Sequence, residues 1–229
     1  MRKIVIAIDG YASTGKSSLA KLLSSHLNYL YINSGSMYRA ITYFAICNKL
    51  TPLNKKNINT LINLLPEIRL DYRINLNTGF SDIYLNDNNI ENKIKSLVVS
   101  NHVSLVAEIP IIRKHVVKIQ KSFQNKEGLV MDGRDIGSVV FPNADLKLFL
   151  TASDDIRAKR RFDELINEGY KIKYDDIFNN IISRDKKDSK RKYSPLIIPK
   201  NAVVIDNSKM SIVEQLNFII KLIKSKFKF

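Results

Sequence analysis

Tryptophan is missing from this 229-residue chain, and cysteine (one), histidine (three), methionine (four), proline (six) and glycine (eight) are scarce. The lone thiol, Cys47, excludes an internal disulfide, and the scattered His26, His102 and His115 give no metal-site spacing. Cys47 is expected to pack on a helix face, and each histidine to be an ordinary surface or packing residue. No apolar run approaches the ~20 residues needed to cross a bilayer, and no signal-peptide pattern precedes the first strand. The expected location is therefore the cytoplasm, with no membrane partner. Acids are short as well, 22 against 37 Lys and Arg, for a net charge of +15. Such a balance invites a nucleic-acid partner. Yet the chain carries no zinc-finger, RRM or KH signature, and its aromatics do not alternate with basic residues as a stacking platform requires. The excess is spread through an Asn-, Ile- and Lys-rich chain, so no specific nucleic acid is expected, although a polyanion-binding surface stays open as an additional property. Internal repeats are absent.

What is present concentrates in residues 3 to 18. An apolar strand, Lys3 to Asp9, runs into Gly10-Tyr11-Ala12-Ser13-Thr14-Gly15-Lys16-Ser17 and then into a helix. The turn fits the G-x-x-x-x-G-K-[ST] phosphate loop in full, in the strand-to-helix setting that this motif needs. Gly10 and Gly15 allow backbone angles that let successive N–H groups point at phosphate oxygens. The helix start adds unpaired N–H groups and its positive dipole end. Lys16 suits the β- and γ-phosphates of ATP, and the Ser17 hydroxyl suits Mg²⁺, a hard cation that prefers oxygen. Gly10 through Ser18 is thus the expected donor-nucleotide loop.

Downstream, Leu19, Leu22, Leu23 and Leu27 recur at helical spacing, and a short strand, Leu30 to Asn33, leads through Ser34-Gly35-Ser36-Met37-Tyr38-Arg39 into a second helix. Arg39 near a helix start is better explained by an anionic ligand than by helix stability. Residues 51 to 65 look helical. Ile68 to Leu76 and Phe80 to Leu85 then alternate around Asn77-Thr78-Gly79, a hairpin signal, with Asp87 to Ile90 as a short third strand. Because the parent pattern is βα, this hairpin marks an insertion. Helices are expected at about Glu91 to Val99 and Ile111 to Gln124, with Ser104 and Arg113 on or between them. A buried strand, Gly128 to Met131, stops at Asp132-Gly133-Arg134-Asp135, at the carboxyl end where open parallel sheets bind ligands. An arginine flanked by two carboxylates also reads as a self-satisfied ion pair. Strand Leu146 to Leu150 leads to a helix, Asp154 to Glu168, carrying Arg157, Arg160 and Arg161. A helix from about Tyr174 precedes the charge run Arg184 to Lys192, which suits a mobile flap over a polyphosphate, with Arg191 distant from the phosphates until the flap closes. Strand Ala202 to Ile205 and a final amphipathic helix, Ser211 to about Lys226, close the chain, with Ile212, Leu216, Ile219 and Ile223 packing on the sheet.

A triphosphate loop, arginines at other strand ends and a basic flap describe a site for two phosphate-bearing ligands. Phosphoryl transfer needs mainly positioning and charge neutralisation, and an acceptor phosphate oxygen is already nucleophilic at neutral pH. Another small-molecule or nucleoside monophosphate kinase, or a nucleic-acid-binding P-loop ATPase, shares part of this description. At this point the chain resembles the bacterial cytidylate kinases, a family of nucleoside monophosphate kinases, over almost its full length. The resemblance rests on Asp9-Gly10 through Gly15-Lys16-Ser17-Ser18, on Asn33 to Arg39, and on Ser104 to Ala107 with Ile109 to Arg113. It continues through Met131-Asp132-Gly133-Arg134-Asp135-Ile136-Gly137-Ser138-Val139-Val140-Phe141-Pro142 and Ser183-Arg184-Asp185 with Asp188 and Arg191.

The resemblance implies an α/β, P-loop NTPase three-layer fold with a five-stranded parallel sheet, forming a single domain. Its core would be residues 1–65, 108–156 and 193–229, with a monophosphate-binding insertion at about 66–107 and a short helical lid at about 157–192. It implies transfer of the γ-phosphoryl group of ATP to CMP or dCMP with Mg²⁺, by a monomer. Ser104, Arg113 and Asp135 would read the cytosine, Arg184 and Asp188 hold the sugar, and Arg39, Arg134 and Arg191 hold the acceptor phosphate. Ser34 and Asp132 join the substrate set, and Lys16, Arg134, Arg191 and Arg157 are the catalytic cations it suggests. The chain departs from the family at Tyr11-Ala12-Ser13, where a proline and an extra glycine are common. A changed loop conformation or nucleotide affinity is expected there, with activity retained.

Overall fold

The computed structural model describes residues 3–125 and 128–227. In chain order the elements are β1 (Val5–Gly10), α1 (Lys16–Leu27), β2 (Leu30–Asn33), α2 (Ser34–Cys47) and α3 (Lys55–Leu64). Next come β3 (Leu70–Ile74), β4 (Ser81–Leu85), β5 (Asn88–Asn89), α4 (Leu97–Glu108) and α5 (Pro110–Ser122). The last are β6 (Leu129–Asp132), β7 (Leu146–Thr151), α6 (Asp154–Asn167), α7 (Tyr174–Lys190), β8 (Val203–Asp206) and α8 (Ile212–Phe227). The parallel sheet has five strands in the order β2-β6-β1-β7-β8. Contacts divide the chain into two compact units, Met1–Tyr29 with Glu127–Phe229, and Leu30–Lys126.

In the first unit β1 pairs with β6 on one side, Ala7 opposite Met131, and with β7 on the other, Ile8 opposite Leu148. A strand flanked on both sides and covered on both faces has no solvent face, and Ile6, Ala7, Ile8, Leu129, Val130, Leu148 and Leu150 are accordingly buried. The strands therefore read as largely apolar runs, Lys147 in β7 excepted, with acids where three of them stop: Asp9, Asp132, Asp206. Helix α1 buries Leu19 and Leu23 while Leu22 faces solvent, and α8 buries Ile219 and Ile223 with Ile212 and Leu216 half-covered. Ser211 and Glu214 close a reciprocal cap at the start of α8: Glu214 N–H donates to the serine hydroxyl at 3.2 Å, and Ser211 N–H to the glutamate at 2.7 Å. The charge run does not interrupt α7, which continues as helix through Lys190. Its alternation of Lys and Asp leaves the exposed face solvated while Ile181 and Asp185 turn inward.

In the second unit β3, β4 and β5 form the antiparallel sheet expected of the insertion, with Tyr72 opposite Ile83 and Leu85 opposite Asn88. Ile83, Val99, Val106, Ile112 and Val116 are among its buried side chains. The helix expected over 91–99 is not formed there; a short 3₁₀ turn, Lys93–Lys95, precedes α4, which starts only after Ser96. Ser96 is the physical reason, since its hydroxyl caps Val99 N–H and sets the helix start. Cys47 also departs from expectation: it is exposed at the end of α2 and is not packed on a helix face. No helix among the described residues is long and apolar enough to cross a membrane.

Candidate active site

The phosphate loop begins where β1 is squeezed hardest. Gly10 has φ +148°, and a Cβ placed there would lie 2.1 Å from the carbonyl oxygen of Leu150 in β7. Only glycine lets the chain leave the sheet at this point. Gly15, at φ +80°, turns it into α1. Between them Ser13 holds φ +57°, a left-handed conformation for a residue with a Cβ, and such a conformation persists only where the surroundings enforce it. The surroundings do so from three directions. Thr14 Oγ1 donates to Tyr11 O at 3.0 Å, and Asn207 Nδ2, just beyond β8, donates to Thr14 O at 2.7 Å. Asp185 Oδ1, on α7, accepts from Ala12 N–H at 3.0 Å.

Lys16 is folded back over this loop and is only 5% exposed. Its ammonium donates to Tyr11 O and, at 3.1 Å, to Thr14 Oγ1. Burial, helped by the Arg134 cation, holds it well below its ordinary range, although Asp132 and Asp185 act the other way. A loop that supplies two oxygens for the ammonium is one from which a phosphate can later draw it. Beside it the Ser17 hydroxyl donates to Asp132 Oδ2 at 2.8 Å, bringing a hydroxyl and a carboxylate oxygen together at the helix start. Asp132 was foreseen as a substrate residue; its pairing with Ser17 joins it to the donor loop as well.

Beyond β6 the chain enters a π-helical turn, Ile136–Val140. Asp9, at the carboxyl end of β1, anchors that turn by accepting from Ile136 N–H at 2.8 Å and Gly137 N–H at 2.7 Å. Burial pushes its carboxyl up to about 7, against the pull of the two amides. Arg134 does not pair with its flanking carboxylates. Its Nε donates to Asp188 Oδ2 at 3.1 Å, and Arg191 Nη1 donates to Asp188 Oδ1 at the same distance. Arg191 also donates to Ser194 O and lies 4.0 Å from Asp135. The structure thus gathers Arg134, Asp135, Asp188 and Arg191 in one cluster. Arg184, also on α7, is exposed. Arg157 is 3% exposed, and its N–H groups point at protein acceptors: Ala152 O at 3.1 Å, Ala12 O at 3.0 Å, Asp154 and Asp185.

The second unit holds the remaining predicted residues. Ser34 is buried at the start of α2, where Asn33 caps Ser36 N–H at 3.0 Å. Arg39 donates to Ser100 on α4 at 3.4 Å, and Ser104 is exposed one turn further along α4. Arg113, on α5, is 3% exposed, donates to Ala107 O at 3.1 Å and lies over the Tyr38 ring at 5.2 Å. A guanidinium buried this deeply is costly unless its donors are met.

Asp9 and Asp185 lie in runs that carry the family resemblance, yet neither they nor Asn207 have a site role in the sequence reading. Asp9 and Asn207 stand at or just past the carboxyl end of a strand, which is a signal in itself; for Asp185 the resemblance is the only one.

A family model described as "Cytidylate kinase" matches residues 6–225. A cytidylate kinase from Flavobacterium johnsoniae is 46% identical over 228 residues, covering 100% of this chain and 99% of that protein. Another, from Flavobacterium psychrophilum, is 46% identical over 225 residues, covering 98% and 100%. Among solved structures, an uncharacterised protein from Eubacterium ventriosum aligns with a TM-score of 0.53 at 18% identity, over 97% of this chain and 99% of that one, a likeness of fold alone.

Proposed function

The chain belongs to the cytidylate kinase family, and from that membership we propose that it transfers the γ-phosphoryl group of ATP to CMP or dCMP, giving ADP and CDP or dCDP. The observation that carries the site assignment is the company kept by the phosphate loop: in one compact unit, the Lys16 ammonium and the Ser17–Asp132 pair accompany two arginines gathered on Asp188. A nucleotide-binding module that only binds would need the loop and not the arginines.

In this reading the loop's N–H groups hold the donor phosphates and Lys16 leaves Tyr11 O and Thr14 for the transferring group. The Ser17 hydroxyl and Asp132 carboxylate, both hard oxygen ligands 2.8 Å apart, fit Mg²⁺ and would hold it. When bound, the ion supplies charge neutralisation across the β- and γ-phosphates. Arg134 and Arg191 hold the acceptor phosphate, with Arg39 as a third cation. Arg184 and Asp188 hold the sugar, Ser34 and Asp132 complete the acceptor's polar surroundings, and Ser104, Arg113 and Asp135 read the base. An arginine donates to the cytosine carbonyl oxygen and ring nitrogen, and a carboxylate accepts from its amino group. Arg157 contributes through the protein groups it holds. No general base is needed, because the attacking oxygen belongs to a phosphate.

A panel of acceptors with ATP·Mg²⁺ tests the proposal. CMP and dCMP should be phosphorylated well, UMP poorly, and AMP or GMP hardly at all, because a mismatched base edge leaves buried polar groups unpaired. Comparable turnover of AMP and CMP would overturn the base assignment.

A further inference from the structure

Tyr11-Ala12-Ser13 contains neither proline to fix the backbone nor glycine to permit the left-handed angle at Ser13. The conformation of this half of the phosphate loop is therefore imposed from outside, and one buried pair grips it. Asp185 Oδ1 accepts from Ala12 N–H at 3.0 Å, and Arg157 Nη1 donates to Ala12 O at 3.0 Å, so both backbone polar groups of Ala12 are held. The two side chains are joined to each other through Arg157 Nη1 and Asp185 Oδ2. Arg157 is fixed in turn by Ala152 O at 3.1 Å, by Asp154, and by the Tyr11 ring 5.3 Å away, whose edge packs on Phe149. Only Ser13, the strained residue, follows directly, and its φ is set by the peptide that Arg157 holds.

We propose that Asp185, with Arg157, is a positioning residue for the donor nucleotide: it acts on ATP through the Ala12 peptide without touching the ligand. The proposal rests on the phosphate loop's being the donor site. It also explains why a carboxylate is needed at this place in a basic run. Only an acceptor with two oxygens can take the Ala12 amide on one and the Arg157 fork on the other. Asp185 lies three residues from Asp188, so α7 carries both the grip on the loop and the carboxylate shared by Arg134 and Arg191.

Two variants test this. Asp185→Asn keeps the shape and one accepting oxygen but loses the charge that holds Arg157. The double variant Arg157→Met/Asp185→Leu replaces the buried pair with apolar groups of similar length, a change that commonly restores or raises stability. ADP·Mg²⁺ binding by calorimetry needs no acceptor and is read first, then KM for ATP and CMP separately. Both variants should bind ADP about tenfold more weakly or worse, and in both KM for ATP should rise about tenfold with KM for CMP within twofold, the loss expected when a positioned group drifts by a fraction of an ångström. A double variant with wild-type ADP affinity and a normal melting temperature would overturn the proposal, because the pair would then be a stability element only. A rise in KM for CMP equal to that for ATP would overturn it too, as would failure of both variants to fold. Should wild-type protein bind ADP but phosphorylate no cytidine nucleotide, the kinase reading fails while this proposal stands.

Discussion

The phosphate loop and the Arg134–Asp188–Arg191 cluster, the two places where phosphate is proposed to bind, are prepared in opposite ways. The loop is made of eight consecutive residues whose backbone angles create the anion site: Gly10 because β7 leaves no room for a Cβ, Gly15 because the chain must turn into α1. The cluster is made of side chains drawn from segments 54 residues apart, and they pair with one another through Asp188. One region stores its readiness in backbone strain and the other in an internal ion-pair network. The difference predicts how each responds to mutation.

The largest effect should come from the loop's one cation. Lys16→Ala removes a charge from the transferring group and should lower kcat by about 10³-fold or more, with the melting temperature little changed, since two loop oxygens lose a donor and gain water. Steady-state kinetics with melts check this; retention of a tenth of wild-type turnover would mean that the loop is not catalytic.

The cluster should lose less for each member, because its network is redundant. Arg191→Ala leaves Asp188 paired with Arg134, so folding should hold within ~1 kcal/mol while kcat/KM falls by about 10² to 10⁴, the scale of one arginine on a phosphoryl group. Lys187 and Lys190, exposed on α7, should tolerate Ala with less than about a threefold change. Similar modest losses at all three positions would dissolve the contrast and leave a diffuse basic surface.

The smallest effect concerns the residue that belongs to both regions. Asp9 sits one residue before the loop and accepts two amides from the turn that follows the cluster's Arg134 and Asp135. Burial raises its folded carboxyl from 3.8 to about 7, so the folded state binds its proton more tightly than the unfolded state. The resulting stability is present in full below pH 3.8 and is withdrawn as pH rises through about 7. Urea unfolding at pH 5 and pH 8 should show wild type losing on the order of 2 kcal/mol more than Asp9→Asn over that interval. A parallel pH dependence in the two proteins would mean that the two amides keep Asp9 ionised throughout.

The same contrast explains what could be read in advance. The loop was fully legible, because its chemistry is local: motif, strand and helix are contiguous. The five strands, the hairpin around Gly79 and the amphipathic α8 were legible for the same reason, each being a periodicity within one segment. The start of α4 was misread because Glu91 to Lys95 contains neither proline nor glycine to break a helix, and one serine hydroxyl decided the boundary. The helical course of residues 184–190 was hidden by a charge density that periodicity reads as solvated chain. Pairings across long sequence distances were not legible at all. Nothing near Asp185 announces Ala12, 173 residues away, and nothing in Asp132-Gly133-Arg134-Asp135 says that the arginine will choose Asp188 over its neighbours.

The carboxylate shared by Arg134 and Arg191 changes what the chain's large positive charge means for ligand capture. A monophosphate arriving at bare guanidinium groups would displace dissolved anions, and its affinity would fall steeply as ionic strength rises. In the proposed reading the arginines already have Asp188, with Asp135 nearby, so an arriving phosphate must displace a carboxylate that stays in the protein. Loss of the Asp188 pairs offsets part of the short-range gain, so binding of the acceptor should depend less steeply on ionic strength than bare guanidinium groups would make it, despite a net charge of +15.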